Sequence, residues 1–335
     1  MLFEKRQPSW AEIQMAKIDV VGFGAMNIDH LCQVDELVID GEQSLKDFMS
    51  IPGGSAANTI YGLARLGLKT GFVGAVGADE SGKALIDDFK TAAVDTSQIR
   101  IKKAETGSTI CISDKLGRRA IYVSPEANNL LNPRDIDLAY LNQAKIVHLS
   151  SFADDRQLKL QVASVKKLKD SVRVSLAPGM IYVTKGLKAL APLLKRTYVV
   201  FMNREEIERM TGKDFQAGAR ELVKSGCLIV VVTLGKGLAK GKAGMVTAYI
   251  RDGEKEYEVE SEKASPKSPL ETTGAGDAFA AGFLFGFLKG KGIDECGLLG
   301  DIVAGFAIQK IGARTGLPTL TQLSQRYLKR SGHRL

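Results

Sequence analysis

Apolar residues fall along this chain in two rhythms. Short continuous runs appear at "KIDVVGF", "KTGFVGAVG", "KIVHLSS", "VRVSLAP", "TYVVFMN" and "CLIVVVTLG". They lack the alternation of a half-solvated strand, and so predict strands buried on both faces. Between them, "SAANTIYGLARLG" places Ala56, Ala57, Ile60, Leu63 and Ala64 at helical spacing, with Gly67 as a stop. "DRQLKLQVASVKKLK" and "REEIERMTG" read as further helices. "GAGDAFAAGFLFGFLKG" reads as a buried helix, smooth on one face where Gly282 and Gly286 lie four apart. Another helix, "IDECGLLGDIVAGFAIQKIGA", has its stop at Gly312. Strands alternating with helices predict an α/β fold, a parallel sheet covered on both faces.

Two segments break the rhythm. Residues 31–52 and 105–123 are polar and β-prone, and "STICISDKLGRRAIYV" reads as a hairpin around a Lys115–Gly117 turn. Both are expected to leave the core and pair into a small extra sheet. Residues 1–16 read as an extension before the first strand, and residues 326–335, "RYLKRSGHRL", as a basic, frayed tail.

Composition narrows the function classes. The 335 residues are 44% hydrophobic and 25% charged, with a net charge of +8. That surplus suits anionic ligands. The basic clusters are short and lack interleaved aromatics, so nucleic acid is not an expected partner. Cys32, Cys111, Cys227 and Cys296 lie far apart without metal-ligand spacing, which fits a reducing cytoplasm. The first residues lack the apolar core of a signal peptide, and no run is long enough to span a membrane.

Three stretches carry candidate chemistry. In "ETTGAGDAFAAGF", residues 271–283, small residues and then Asp277 precede a helix. A helix N-terminus with small residues offers unpaired amides to an anion. Asp277 there is either a dipole-compensating residue or a base beside an anion site. In "IPGGSAANTIYG", Gly53 and Gly54 precede a helix with Asn58 in its opening turns. This is either a tight turn with a polar cap or an amide floor for a hydroxylated ligand. In "GFGAMNIDH", two glycines follow a strand, but Asn27 stands where a dinucleotide fingerprint needs its third glycine. Asp29 beyond it suits hydrogen bonds to ligand hydroxyls or an Asx turn. A Walker loop, GxSxG and HExxH are absent, and His30, His148 and His333 are scattered.

Together, "GGSAANTIYGLARLGLKTGFVGAVGADESG" and "ETTGAGDAFAAGF" resemble the two signature regions of the ribokinase-like, phosphofructokinase B-type carbohydrate kinases. The resemblance spans residues 18–320 in order and spacing. It implies a three-layer ribokinase-like core over residues 17–325, a mostly parallel sheet between helices, with segments 31–52 and 105–123 as a β-sheet lid. It implies phosphoryl transfer from ATP with Mg2+. Asp277 matches the family's base, and Gly274, Ala275 and Gly276 its anion hole. Asn27, Asp29, Gly53, Gly54 and Asn58 match the residues that hold substrate hydroxyls. Asn203 and Glu206 match a motif near magnesium and phosphates, and Thr233 and Gly235 a turn on the nucleotide side.

Glu271 stands where relatives carry an aspartate tied in some members to a monovalent cation, and Ala177 replaces another aspartate. "APGMIYV", "VVFMNREEIERMTG" and "DECGLLGDIVAGFAIQKIGARTGLPT" resemble archaeal-type nucleoside kinases, which points to a ribonucleoside acceptor. A free sugar such as ribose, fructose or 2-keto-3-deoxygluconate is the alternative. The lid of relatives often mediates dimerisation, so a homodimer through it is expected. Two rival classes are a dinucleotide-dependent oxidoreductase and a non-catalytic sensor that kept the fold.

Overall fold

The computed structural model describes residues 16–116, 118–240, 244–253, 255–261 and 272–335. Gly117 of the expected hairpin turn, and all of the expected extension except Ala16, lie outside them.

Strand β1 (Ile18–Phe23) shows how the buried runs are used. Val20 faces one core, and Val21 and Phe23 face the other. The chain then forms β2 (Asn27–Gln33), β3 (Asp47–Gly53), helix α1 (Ser55–Arg65), β4 (Thr70–Gly77), α2 (Glu80–Thr91) and β5 (Ile99–Lys102). A hairpin of β6 (Ser108–Ser113) and β7 (Arg119–Ser124) leads to α3 (Leu138–Leu141) and β8 (Ala144–Ser150). Next come α4 (Asp155–Val165), β9 (Arg173–Ala177), α5 (Gly179–Val183), α6 (Gly186–Leu194) and β10 (Thr197–Asn203). Helices α7 (Arg204–Thr211) and α8 (Phe215–Lys224) precede β11 (Ile229–Lys240), β12 (Gly244–Asp252) and β13 (Lys255–Ser261). The described chain closes with α9 (Ala275–Leu288), α10 (Ile293–Ala307) and α11 (Leu320–Ser331).

Nine of these strands form one sheet in the order β13-β12-β11-β10-β9-β8-β1-β4-β5. From β11 to β5 the pairs are parallel, and only β11–β12 and β12–β13 are antiparallel. Alternation along each central strand builds two cores. In β10, Val199 and Phe201 join Phe283, Leu299 and Leu323 on one face, while Val200 and Met202 join Leu158, Leu190 and Ile207 on the other. Two helical layers therefore enclose the sheet.

The two expected excursions pair as a separate four-stranded sheet, β3-β2-β6-β7. Its β2 leaves the main sheet just after β1, so one end of the lid is rooted where β1 ends. A strand, not a helix, therefore follows "GFGAM", which removes the dinucleotide geometry behind the oxidoreductase reading.

Several expectations are corrected. Residues 326–331 are not frayed but complete α11, where Leu323 and Tyr327 are buried and Gly332 ends the helix in the left-handed conformation. Arg330 donates to Asp301 of α10 at 2.5 Å, which ties this end down. Helix α10 stops at Ala307, short of Gly312. The "TLG" turn is an irregularity inside β11, where the register with β12 shifts between Thr233 and Leu238 around the left-handed Gly235 and Gly237. The β12–β13 hairpin was not foreseen.

Helix α9 is buried almost all round and crosses α10 where neither glycine has room for a side chain. A Cβ on Gly282 would lie 2.4 Å from the Leu299 carbonyl oxygen and 2.9 Å from Gly300 Cα. Both obstacles are backbone, so Gly282→Ala must push the helices apart. We expect it to lower stability by about 1–3 kcal/mol, read as a lower denaturant midpoint at unchanged slope. An unchanged midpoint would mean that the contact yields freely.

Candidate active site

The candidate residues gather beyond the carboxyl ends of the parallel strands, where open α/β sheets bind ligands. Helix α9 begins there. Gly274, its N-cap, has φ 76°, and a Cβ on it would sit 2.4 Å from Ala313 Cβ. Only glycine meets both conditions. The Ala275 amide donates to Thr272 O at 3.2 Å, so one of the three expected anion-hole amides is engaged within the turn. Gly276 is exposed, with nothing within 4 Å of where its Cβ would be. Gly274 has no side chain to cap this N-terminus, so among the described residues its partial positive charge is left beside the exposed Gly276.

Asp277 lies in the first turn of α9 and is gripped by α1. Its Oδ1 accepts a hydrogen bond from Ser55 Oγ at 2.7 Å and its Oδ2 one from Asn58 Nδ2 at 2.9 Å. Its carbonyl accepts one from Thr59 Oγ1 at 3.3 Å. Burial raises the carboxyl to about 6, and the Asn58 and Ser55 hydrogen bonds restrain the rise. Asp29 adds repulsion, and Arg314 offsets part of it. This carboxylate is more basic than an ordinary aspartate, yet ionised at neutral pH.

The glycine pair shapes the neighbouring wall. A Cβ on Gly53 would strike Asp29 Oδ2 at 2.1 Å, and one on Gly54, at φ 93°, would strike the Ala25 carbonyl at 2.3 Å. Their bareness brings β2 and the β1–β2 turn against the start of α1. Asp29 lies opposite Ile51 in β3 and beside Thr109 in β6. Its Oδ1 is buried without a partner among the described residues. Burial lifts its carboxyl to about 6, moderated by the Thr109 hydroxyl and Arg314. An orphaned acceptor of this kind suits a ligand hydroxyl. Asn27 is used differently. Its Oδ1 accepts from Asn128 Nδ2 at 3.0 Å and its Nδ2 donates to Thr109 Oγ1 at 3.3 Å, so its amide fastens the lid's root.

Asn203 and Glu206, the latter near enough to feel the charge of Asp277, form a reciprocal cap on α7. Asn203 Oδ1 accepts from the Glu206 amide, and Glu206 Oε2 from the Asn203 amide, each at 2.8 Å. Burial, opposed by the hydrogen bond from the Asn203 amide and helped by the charge of Asp277, raises Glu206 to about 7. Thr233 pairs directly with Asn203 across β10 and β11, with Gly235 exposed just beyond it. These four residues therefore lie together at the carboxyl ends of β10 and β11 and the start of α7. Glu271 lies outside the described residues. Among those described, no cluster of three or more His, Cys, Asp or Glu side chains forms a metal cage.

Three participants carried no signal of their own. Ser55 sat unremarked inside "GGSAAN". Arg119 of lid strand β7 donates to Thr272 Oγ1 at 3.0 Å and Thr273 Oγ1 at 3.4 Å, beside the start of α9. Arg314 is buried behind Asn58 and Gly53, more than 250 residues along the chain from them.

A family model described as "pfkB family carbohydrate kinase" matches residues 17–320. The chain is 37% identical over 257 residues to an "uncharacterized sugar kinase" of Archaeoglobus fulgidus, covering 77% of this chain and 98% of the relative. It is 27% identical to the 5-dehydro-2-deoxygluconokinase of Clostridium botulinum, with 92% of each chain covered. It is also 27% identical to the nucleoside kinase of Methanocaldococcus jannaschii, covering 94% and 98%. A crystal structure of a nucleoside kinase from that organism, described as an archaeal member of the ribokinase family, superposes with a TM-score of 0.74 at 23% identity. That superposition covers 94% of this chain and 99% of the other.

The hydrogen-bond pattern around Asp277 predicts its titration. Its carboxyl should titrate near pH 6 by carbon-detected NMR, and Asn58→Ala should move the midpoint up by removing a bond to the ionised form. A midpoint near 4, unmoved in the variant, would refute this account of the site.

Proposed function

This chain belongs to the pfkB family of carbohydrate kinases, and from that premise we propose that it transfers the γ-phosphoryl group of ATP to a hydroxyl of a small ribonucleoside. The observation that carries the reading is Asp277. Its carboxylate sits in the first turn of a helix whose N-cap is a glycine and whose Gly276 is exposed, with nothing within 4 Å of where its Cβ would be.

The chemistry follows from that placement. Phosphoryl transfer asks the protein for in-line positioning and for charge stabilisation, with little covalent help. Gly53, Gly54, Asn58 and the unpartnered oxygen of Asp29 would hold the acceptor's hydroxyls. Asp277 takes the proton from the attacking hydroxyl as its oxygen bonds to phosphorus. The bond from phosphorus to the bridging oxygen breaks, and ADP leaves. Charge developing on the phosphoryl oxygens falls against the N-terminus of α9 and its Gly274 and Gly276 amides. Thr233 and Gly235 would meet the nucleotide. Bound Mg2+ would neutralise phosphate charge, and it needs few protein ligands of its own. Glu206, half-buried beside Asn203, is the carboxylate placed to face it directly or through water. Arg119, meeting Thr272 and Thr273, would hold the lid over the crevice and exclude water.

The lid favours a nucleoside over a free sugar. Strand register puts Met49, Ile121 and Val123 on the same lid face as Asp29 and Arg119, and all three are exposed. An apolar surface beside a hydroxyl-reading carboxylate suits a flat base attached to a ribose. The sugar reading is supported by the names of two relatives, a sugar kinase and a 5-dehydro-2-deoxygluconokinase. The lid's opposite face exposes Phe48, Ile110 and Tyr122. We assign that face to a second copy of the chain. No disulfide joins the four cysteines, which fits a reducing compartment. Among the described residues no helix is long and apolar enough to cross a membrane.

Two experiments test this. The first is a turnover screen of ribonucleosides, ribose, fructose, fructose 6-phosphate, 2-keto-3-deoxygluconate and 5-dehydro-2-deoxygluconate with Mg·ATP. A ribonucleoside should have the highest kcat/KM, and the rate should fall as pH drops below about 6, where Asp277 takes up a proton. Asp277→Asn should lose roughly two to four orders of magnitude in kcat while still binding ATP. Full activity in that variant removes the base, and turnover of sugars alone moves the acceptor class. The second is light scattering, where the mass of two chains is expected and that of one chain excludes the lid dimer.

A further inference from the structure

Arg314 is an arginine with almost no contact with solvent, 7% exposed, and its fork is occupied on three sides. Nε donates to Asn58 Oδ1 at 2.9 Å, Nη2 to the Gly53 carbonyl at 2.9 Å, and Nη1 to Asp88 Oδ2 at 2.5 Å. The guanidinium also lies against Tyr61 and Phe89, 5.3 and 5.1 Å from their ring centres. Three partners come from three elements: α1, the end of β3, and α2.

We propose that Arg314 is the positioning residue of this site, fixing Asn58 with its amide nitrogen toward Asp277 and anchoring the glycine pair against which Asp29 packs. The proposal rests on the kinase reading for its catalytic consequence but not for its geometry. An asparagine amide has a donor end and an acceptor end of nearly equal shape. Flipped, it would press its oxygen against the Asp277 carboxylate. Arginine is a donor only, so Arg314 claims the oxygen and leaves Nδ2 for Asp277. The second prong holds Gly53, whose missing Cβ makes room for Asp29. The third, Asp88, balances the buried charge. Ala313, the preceding residue, is what Gly274 packs against. One three-residue segment, Gly312–Arg314, therefore buttresses both the anion site and the base.

The surrounding charges make the arrangement sensitive. Asp277 faces Asp29 of β2 and Arg314, and Glu206 of α7 feels its charge in turn. Arg314 faces Asp88 of α2, Asp29, and Tyr61 of α1. Arg119 of β7 meets Thr272 and Thr273 just before the helix. Removing the guanidinium leaves carboxylates facing one another and frees the Asn58 amide to turn.

The test compares Arg314→Met, Arg314→Lys and Asp88→Asn in the full chain. With Mg·ATP and the acceptor that the native enzyme turns over fastest in the screen, Arg314→Met should lose about 100-fold in kcat/KM, with the KM for ATP within about twofold. Arg314→Lys keeps the charge but loses the planar fork. It should hold the Asp277 titration near its native midpoint and still lose most of the rate. Arg314→Met should raise that midpoint, a shift that merely structural damage would not produce. Asp88→Asn should show a weaker loss in the same direction, and carries the test if Arg314→Met does not fold. An Asp277 midpoint and acceptor KM that are native in folded Arg314→Met, or native in Asp88→Asn where it alone folds, overturn the assignment. If no acceptor is turned over by the native protein, the kinase reading fails, while the titrations still decide the role of Arg314.

Discussion

The contact on which the site depends is the pair of hydrogen bonds from Ser55 and Asn58 to the two oxygens of Asp277. They join the start of α1 to the start of α9, two helices that emerge on one side of the sheet. Both begin at glycines with positive φ, Gly54 and Gly274, which have no side chain to cap the helix, and at α1 the Ala56 amide donates instead to Ser150 Oγ at 3.1 Å. A carboxylate at such a junction has opposing demands. The helix N-terminus favours its charge, burial disfavours it, and the outcome is a group poised between an ordinary acid and a useful base.

Close packing makes that junction possible. Gly62 of α1 lies against Ala281 of α9, and Gly282 of α9 against the backbone of α10. Each absence of a side chain brings a helix axis nearer to its neighbour. The same economy recurs where Gly53 yields its side-chain space to the Asp29 carboxyl. Small residues set the distances, and polar residues at the helix ends set the chemistry.

Much of this was legible in the sequence, for a physical reason. Buried parallel strands need apolar runs, so β1, β4, β8, β9, β10 and β11 announced themselves. A bare helix N-terminus needs small residues, so the Gly274 and Gly54 turns did too. What stayed hidden was set by partners distant in sequence. The β12–β13 hairpin carries "GMVTAYIRD" and "KEYEVES", whose polar outward residues blur the apolar signal. The basic end looked frayed because nothing local shows that Arg330 finds Asp301 or that Tyr327 packs inward. Arg314 follows "IGA" in a stretch that resembles archaeal-type nucleoside kinases only as a whole, and its own part arises where α1, α2 and β3 converge. The Asn203–Glu206 pair carries two readings at once, since the residues that would approach phosphates and magnesium also cap α7.

Two acids close together explain why such a site would want a ligand. Folding lifts Asp29 and Asp277 from an ordinary 3.8 to about 6. The folded state therefore binds these protons more tightly than the unfolded chain does. Above about pH 6 the ionised pair works against folding, and that cost fades as pH falls through 6 toward 3.8. The protein tolerates it because Arg314 offsets part of the charge and Ser55 and Asn58 satisfy Asp277. Asp29 keeps one oxygen without a donor. A polyol would supply the missing donor there and offer another hydroxyl toward Asp277. Relief of the electrostatic strain between Asp29 and Asp277 would then contribute binding energy for the acceptor proposed above.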